Sequence, residues 1–349
     1  KTLAIAPKFA AAMSIIGSGL IVHSILKSPN RRRLVYHRLV MSMSISDLIS
    51  STVFFISTWP LPEGSAYWAI GNQTTCDIFG FVNQGSAITT PSYNTMLCIY
   101  YYLVVSRSWS ERKVGEAQYL FHIWPLFMGI GSATTGLFFK LYNPGSFNCW
   151  IGAVPKGCDQ DPEVGCTRGR LAYIFRWAFF YGWIWFYFLL NAALIGKVYY
   201  TVLKQEKKID KYKSEGESRD RKRSRSVGNQ ALWFLLAYYL TFLPGTTVRS
   251  MQLRGTAIPP WILIWFAIFF PLQGFFNGLI YLGLPAWRRY RKKQQGQRLS
   301  SRKSWSGSAA NVHSIDKNVK DNFLHRKRNS KSWSYVESNN GTAQLLGTI

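Results

Sequence analysis

Seven stretches of the chain run the length of a bilayer crossing without a regular polar face. Bounded by charged residues, they lie between Lys8 and Lys27, Arg38 and Glu63 (interrupted by Asp47 alone), Asp77 and Arg107, Glu116 and Lys140, Arg176 and Lys197, Arg225 and Arg249, and Arg254 and Arg288. The fifth is read as starting nearer Leu171. A spanning helix needs roughly 20 mainly apolar residues. Soluble helices of that length would show a polar stripe on one face, and membrane strands are only about 9–11 residues of alternating polarity. The pattern therefore predicts an all-α membrane fold, a seven-transmembrane helix bundle.

Charge sharpens this picture. Only 17% of the 349 residues are charged, against about 25% in soluble proteins, yet the net charge is +26. The basic residues sit in blocks: five in the first inter-span loop (27–38), three in the third (107–116), ten in the fifth (204–226) and fourteen from Arg288 onward, 32 of the 42 in all. All four blocks fall on one side of a seven-span chain, and Lys and Arg in short loops mark the cytoplasmic side. The N-terminus is thus expected outside and the C-terminus inside, in the plasma membrane. The domains expected are an outer stub over 1–8 that opens on Lys1 and reads as truncated, a bundle over 9–284, an amphipathic inner-leaflet eighth helix over 285–295, and a disordered, basic, Ser-rich tail over 296–349. Basic charge beside membrane spans is attracted to anionic lipid at about 1 kcal/mol per residue. It needs no nucleic acid partner, and no nucleic-acid motif is present.

The outer loops hold most of the cysteines. Cys76, Cys149, Cys158 and Cys166 allow three pairings; the preferred one joins Cys76 to Cys149 and Cys158 to Cys166, with Cys98 inside the third span. Asn72-Gln73-Thr74 is an outer glycosylation sequon.

Polar groups within spans need a reason, because an ionisable side chain there costs about 2.5–3.5 kcal/mol. Asp47 is the clearest, with Asn277 of the seventh span as its expected partner. It reads either as a buried switch or cation site, or as a network that only positions helices. Arg176 either snorkels to the headgroups or enters a ligand pocket. Were it to converge with Arg168, Arg170, Arg249 and Arg254, the pocket would suit an anion, unless Asp159, Asp161 and Glu163 neutralise it. The ligand pocket is expected to include Asn83, Gln84, Arg176, Arg249 and Gln273. Pro91 is expected to kink the third span. The five histidines are too scattered for a zinc site, so no metal, no cofactor and no enzyme activity are expected.

These residues resemble those of a G-protein-coupled receptor over roughly 5–295. Ser44 to Leu48 resembles the family's second-helix segment with its buried Asp. Asn277-Gly278-Leu279-Ile280-Tyr281 resembles the seventh-helix Asn-Pro-x-x-Tyr motif with Gly in place of Pro, and Thr241-Phe242-Leu243-Pro244 resembles the Cys-Trp-x-Pro hinge with Phe in place of Trp. Pro271 to Asn277 and Cys149-Trp150 resemble the slime-mould cyclic-AMP receptors and their secretin-like neighbours. The Asp/Glu-Arg-Tyr box is reduced to Arg107, and the seventh span has no Lys for a retinal Schiff base.

The resemblance implies a receptor that passes binding of an extracellular ligand to a cytoplasmic heterotrimeric G protein. Asp47, Arg107, Pro244, Asn277 and Tyr281 would form the switch. Kinase and arrestin-like partners would act at Ser224, Ser226, Ser304, Ser306, Ser332 and Ser334, which follow basic residues. A seven-span transporter or channel is the alternative. It is disfavoured because no inverted repeat and no charged pore ring is legible.

Overall fold

The computed structural model describes residues 2–294, apart from Pro162, Lys213, Ser214, Gly255, Pro285, Arg288, Arg289 and Lys292; over 206–228 and at Leu253 it describes the backbone alone. Among the described residues, seven long helices form a bundle. They are span 1 (Thr2–Leu26), span 2 (Val35–Ile56), span 3 (Gln73–Tyr101, prolonged by the π turn Tyr102–Ser106) and span 4 (Gln118–Phe138). Span 5 runs through Ala172–Arg176, the π turn Trp177–Tyr181 and Gly182–Tyr212. Span 6 is Glu215–Leu253 and span 7 is Pro260–Gly283. Phe9, Ile16, Phe127, Ile130, Leu189 and Leu236 point away from the bundle. So large an apolar exterior suits lipid, not water, and the chain is a multi-pass membrane protein.

Spans 1, 2, 5, 6 and 7 each carry an apolar window long enough to cross a bilayer; spans 3 and 4 have the length but fall short in apolarity. The position of span 3 explains its polarity. It packs on spans 2, 4, 5 and 6 and on the outer hairpin described below. Its Asn83, Gln84, Ser86, Thr89, Thr90, Ser92, Asn94 and Thr95 are all buried in protein. A helix surrounded by other helices meets little lipid, so polar side chains cost less there if neighbours bond them.

Three expectations change. Residues 2–8, expected as an outer stub, are already helix, and Lys8 donates to the carbonyls of Phe55 (2.8 Å) and Ile56 (3.0 Å) at the end of span 2. Those last-turn carbonyls lack helical partners and attract a cation. The basic 204–226 segment, expected as a loop, is helical to Tyr212 and again from Glu215, because its Lys, Arg and Glu are good helix formers. Span 3 also continues as helix through Pro91; its irregularity comes lower, where Arg107 N–H reaches back five residues to Tyr102.

Spans 1 and 7 approach so closely that small residues are obligatory. A Cβ on Gly274 would lie 2.1 Å from Ser18 Oγ, and one on Gly17 would lie 2.8 Å from the Gly274 carbonyl oxygen. Span 7 tightens to a 3₁₀ turn over Phe270–Leu272 around Pro271. The Gly274 N–H that follows donates to Ser14 Oγ at 3.0 Å, and Ser14 Oγ also accepts from Ser51 of span 2 at 2.8 Å. One serine thus ties three helices together.

On the outer side, the strands Tyr142–Pro144 and Cys149–Ile151 pair antiparallel, with Asn143 opposite Trp150. The hairpin is pinned to span 3 by the Cys76–Cys149 disulfide, whose Cα atoms are 5.3 Å apart. Asn72 caps span 3 in a capping box with Thr75. A second disulfide, Cys158–Cys166, closes a local loop.

The chain divides into a unit over Lys1–Pro285 and another over Ala286–Ile349. In the latter, Arg291 lies 4.6 Å over the Trp287 ring and Gln294 donates to Tyr290 Oη at 2.7 Å.

Gly274→Val is expected to lower the thermal midpoint of the purified protein by several degrees, since overpacking costs about 1–3 kcal/mol. Gly19→Ala, which meets nothing within 4 Å, is expected to leave it unchanged. Differential scanning fluorimetry in detergent reads both.

Candidate functional site

The outer end of the bundle contains a cavity of about 500 Å³, within the range of small-molecule sites. The hairpin covers it. Phe147, in the hairpin turn, packs on Phe54 of span 2 (6.1 Å) and Phe266 of span 7 (5.6 Å), and Ser57 Oγ donates to its carbonyl at 3.0 Å. Trp150 reaches inward and stands edge-on to Phe180 and Tyr181 of span 5. Phe270 of span 7 packs on Phe54 and Phe180 at the wall and on Phe242 of span 6 behind it.

Two of the anticipated arginines line this cavity. Arg176 bonds Asp159, whose side chain is almost fully buried, and both residues line the cavity. Arg249 makes cation–π contacts with both Trp150 and Tyr181, its guanidinium carbon 5.5 and 5.3 Å from the ring centroids. The other three arginines do not join them. Arg168 is engaged elsewhere, with Asp77 at the top of span 3 (2.6 Å) and Asn143 (3.0 Å), and neither Arg170 nor Arg254 lines the cavity.

Of the remaining anticipated pocket residues, Asn83 lines the cavity, donating to the Cys149 carbonyl at 3.3 Å. Gln84 is one layer removed: its Oε1 accepts from Trp150 Nε1 at 2.7 Å and its Nε2 donates to Ser132 at 3.2 Å. Gln84 therefore positions the Trp150 ring and does not face the cavity. Gln273 also lies off the wall, where its amide oxygen accepts from Thr241 of span 6. Gln84 follows the lining Asn83 in sequence and so points about 100° away from it, whereas Gln273 lies about one turn beyond Phe270, the nearest lining residue of span 7.

Deeper in the bundle, Asp47 is 2% exposed. Its Oδ2 accepts from Asn277 Nδ2 at 2.8 Å, and its Oδ1 accepts from Thr90 Oγ1 at 3.1 Å. Thr90 is also within 3.1 Å of Ser46, whose hydroxyl donates to the Ser86 carbonyl at 3.2 Å. The carboxyl group thus joins spans 2, 3 and 7. Pro244 lies inside span 6, one turn from Thr241 and its bond to span 7.

At the opposite end, Tyr281 Oη pairs with His37 Nδ1 at 2.8 Å, and Tyr36 packs on Tyr100, Tyr101 and Tyr281. Gln230 of span 6 donates to Tyr36 Oη at 2.8 Å. Arg107 is exposed just beyond the π turn and bonds Tyr102 Oη at 2.9 Å. Glu111 is a further contributor that its sequence does not advertise: it accepts from the Val35 N–H (2.7 Å) and from Tyr100 Oη (3.0 Å), capping span 2 from a different loop. Ser224 and Ser226 lie on helical backbone whose side chains are not described, and Ser304, Ser306, Ser332 and Ser334 lie outside the described residues.

A double-mutant cycle on Asp47→Ala and Asn277→Ala is expected to be non-additive, with a coupling of about 0.6–1.7 kcal/mol, the range of interhelical hydrogen bonds in membranes. Denaturant unfolding in mixed micelles measures it.

No protein-family model matches the chain, and no curated protein matches it. Solved structures do match. The crystal structure of squid rhodopsin is similar over 80% of this chain and 80% of that one, with a TM-score of 0.56 and 15% sequence identity. At that identity the likeness concerns the backbone arrangement: the chain has the seven-helix fold seen in squid rhodopsin.

Proposed function

We propose that this protein is a plasma-membrane receptor that couples an extracellular ligand to a cytoplasmic heterotrimeric G protein, and that it is not an enzyme. The observation that carries the reading is the arrangement of one bundle: a cavity at the hairpin-covered end and a polar link across spans 2, 3 and 7 at mid-depth. Beyond these lies an aromatic cluster joining spans 2, 3, 6 and 7 beside the basic segments. Such a bundle has the parts of a two-state switch. A ligand bridging spans 3, 5, 6 and 7 would favour one packing over another. Pro244 would allow the inner half of span 6 to swing, breaking the Gln230–Tyr36 bond and opening a cleft beside Arg107.

The basic inner loops support an N-terminus outside and a C-terminus inside, with residues 285–295 on the inner leaflet and the Ser-rich tail available to kinases and arrestin-like proteins. The Pro271–Asn277 segment supports placing the chain near the slime-mould cyclic-AMP receptors and the secretin-like group. Span 7 contains no Lys, so a retinal Schiff base has no attachment point.

Guanine-nucleotide exchange on a panel of purified G proteins, in phosphatidylcholine nanodiscs carrying the full chain, is expected to exceed that of empty discs. Arg107→Ala is expected to lower it several-fold at equal receptor density, and Asp47→Asn is expected to alter it without closing the outer cavity. Solute flux in proteoliposomes, with no exchange on any G protein, would replace the receptor with the transporter.

A further inference from the structure

The cavity wall is unbalanced in charge. Lys156, Arg176 and Arg249 line it with a single carboxylate, Asp159. That carboxylate is bonded to Arg176, so Arg176 is compensated and Arg249 is not. The hydrogen bond of Arg249 goes to the neutral Gln252, and its Nε is buried without a partner among the described residues. Its guanidinium is held by Trp150 and Tyr181. A cation–π contact occupies no hydrogen-bond donor, so it leaves the guanidinium N–H groups free to bond an acceptor. A partly buried cation with no anion is costly, and an incoming anion would supply the missing partner.

We infer that the cavity takes an organic anion, whose carboxylate or phosphate docks on the free edge of Arg249 and whose apolar body lies among Phe54, Phe180, Phe266 and Phe270. A guanidinium fork matches the two oxygens of either head group in a bidentate pair. Arg176 and Arg249 together line a second, smaller pocket beside the main cavity; with Arg176 neutralised by Asp159, the remaining positive charge of Arg249 favours an anion over an amine. Asn83 adds a further feature. Its Nδ2 is used by the Cys149 carbonyl, and its Oδ1 is buried at the wall without a partner among the described residues. That oxygen is an acceptor for a hydroxyl or N–H on the ligand body. The inference deepens the receptor reading and rests on it for the direction of signalling. Binding is measured without a G protein, so the two fail separately.

The test uses four probes that share one ring system and differ in head group: 2-naphthoate, 2-naphthyl phosphate, 2-naphthylmethylamine and 2-naphthalenemethanol. Each is titrated against the purified full chain in an uncharged maltoside detergent, and the thermal midpoint is followed. At least one anion is expected to raise the midpoint saturably while the amine and the alcohol do not, and the order of the two anions tells carboxylate from phosphate. Arg249→Gln is expected to weaken that anion at least ten-fold, and Arg254→Gln, outside the cavity, to leave it unchanged. Stabilisation by the amine equal to that by the anions, no response to either anion, or an undiminished response in Arg249→Gln would overturn the inference. Should Arg249→Gln not fold, the ranking of the four probes on the unsubstituted chain decides alone.

Discussion

Lipid offers no hydrogen bonds, so every polar group inside the bundle must be bonded by protein or bear the cost. That constraint organises the structure. It sets span 3, with its many buried polar side chains, among its neighbours and away from lipid. It brings Thr90 and Asn277 to the two oxygens of Asp47. It places Ser14 where the Gly274 N–H follows the tightened turn around Pro271. The small residues of spans 1 and 7 follow from the same demand. Without a hydrophobic drive between helices in lipid, close backbone contact and polar bonds must hold them together.

The same constraint separates the two ends of the molecule by chemistry. At the outer end, a covalently pinned hairpin forms part of the cavity wall, and the Arg–Asp pair beside it is buried, which strengthens cation–π and charge contacts there. At the other end, tyrosines, His37 and Glu111 make neutral or singly charged bonds between helix ends. Such bonds are easier to exchange than a disulfide. A bundle anchored at one end and held by exchangeable bonds at the other is suited to move at the second.

Much of this was legible one residue at a time. Asp47 and Asn277 are rare intramembrane polar groups, each in need of a partner, and the structure joins them. The Cys76–Cys149 and Cys158–Cys166 bonds correspond to the preferred pairing. The pocket was less legible. Gln84 sits next to the lining Asn83 in sequence and Gln273 one turn beyond the lining Phe270, yet both bond away from the cavity, and Arg168 is taken by Asp77. The Trp150–Gln84 bond and the Glu111 cap on span 2 each link distant segments whose proximity no local pattern records.

The sequence by itself determined that this chain crosses a membrane seven times and where its basic blocks fall, because run length and loop charge are properties of the chain read in one dimension. The tertiary structure alone decided which arginine keeps an unpaired edge, which amides face the cavity, and why span 3 tolerates its polarity. Those outcomes depend on how each helix is rotated about its axis and on which neighbour arrives first at each polar atom. Such information is distributed over all seven helices and carried by none of them separately.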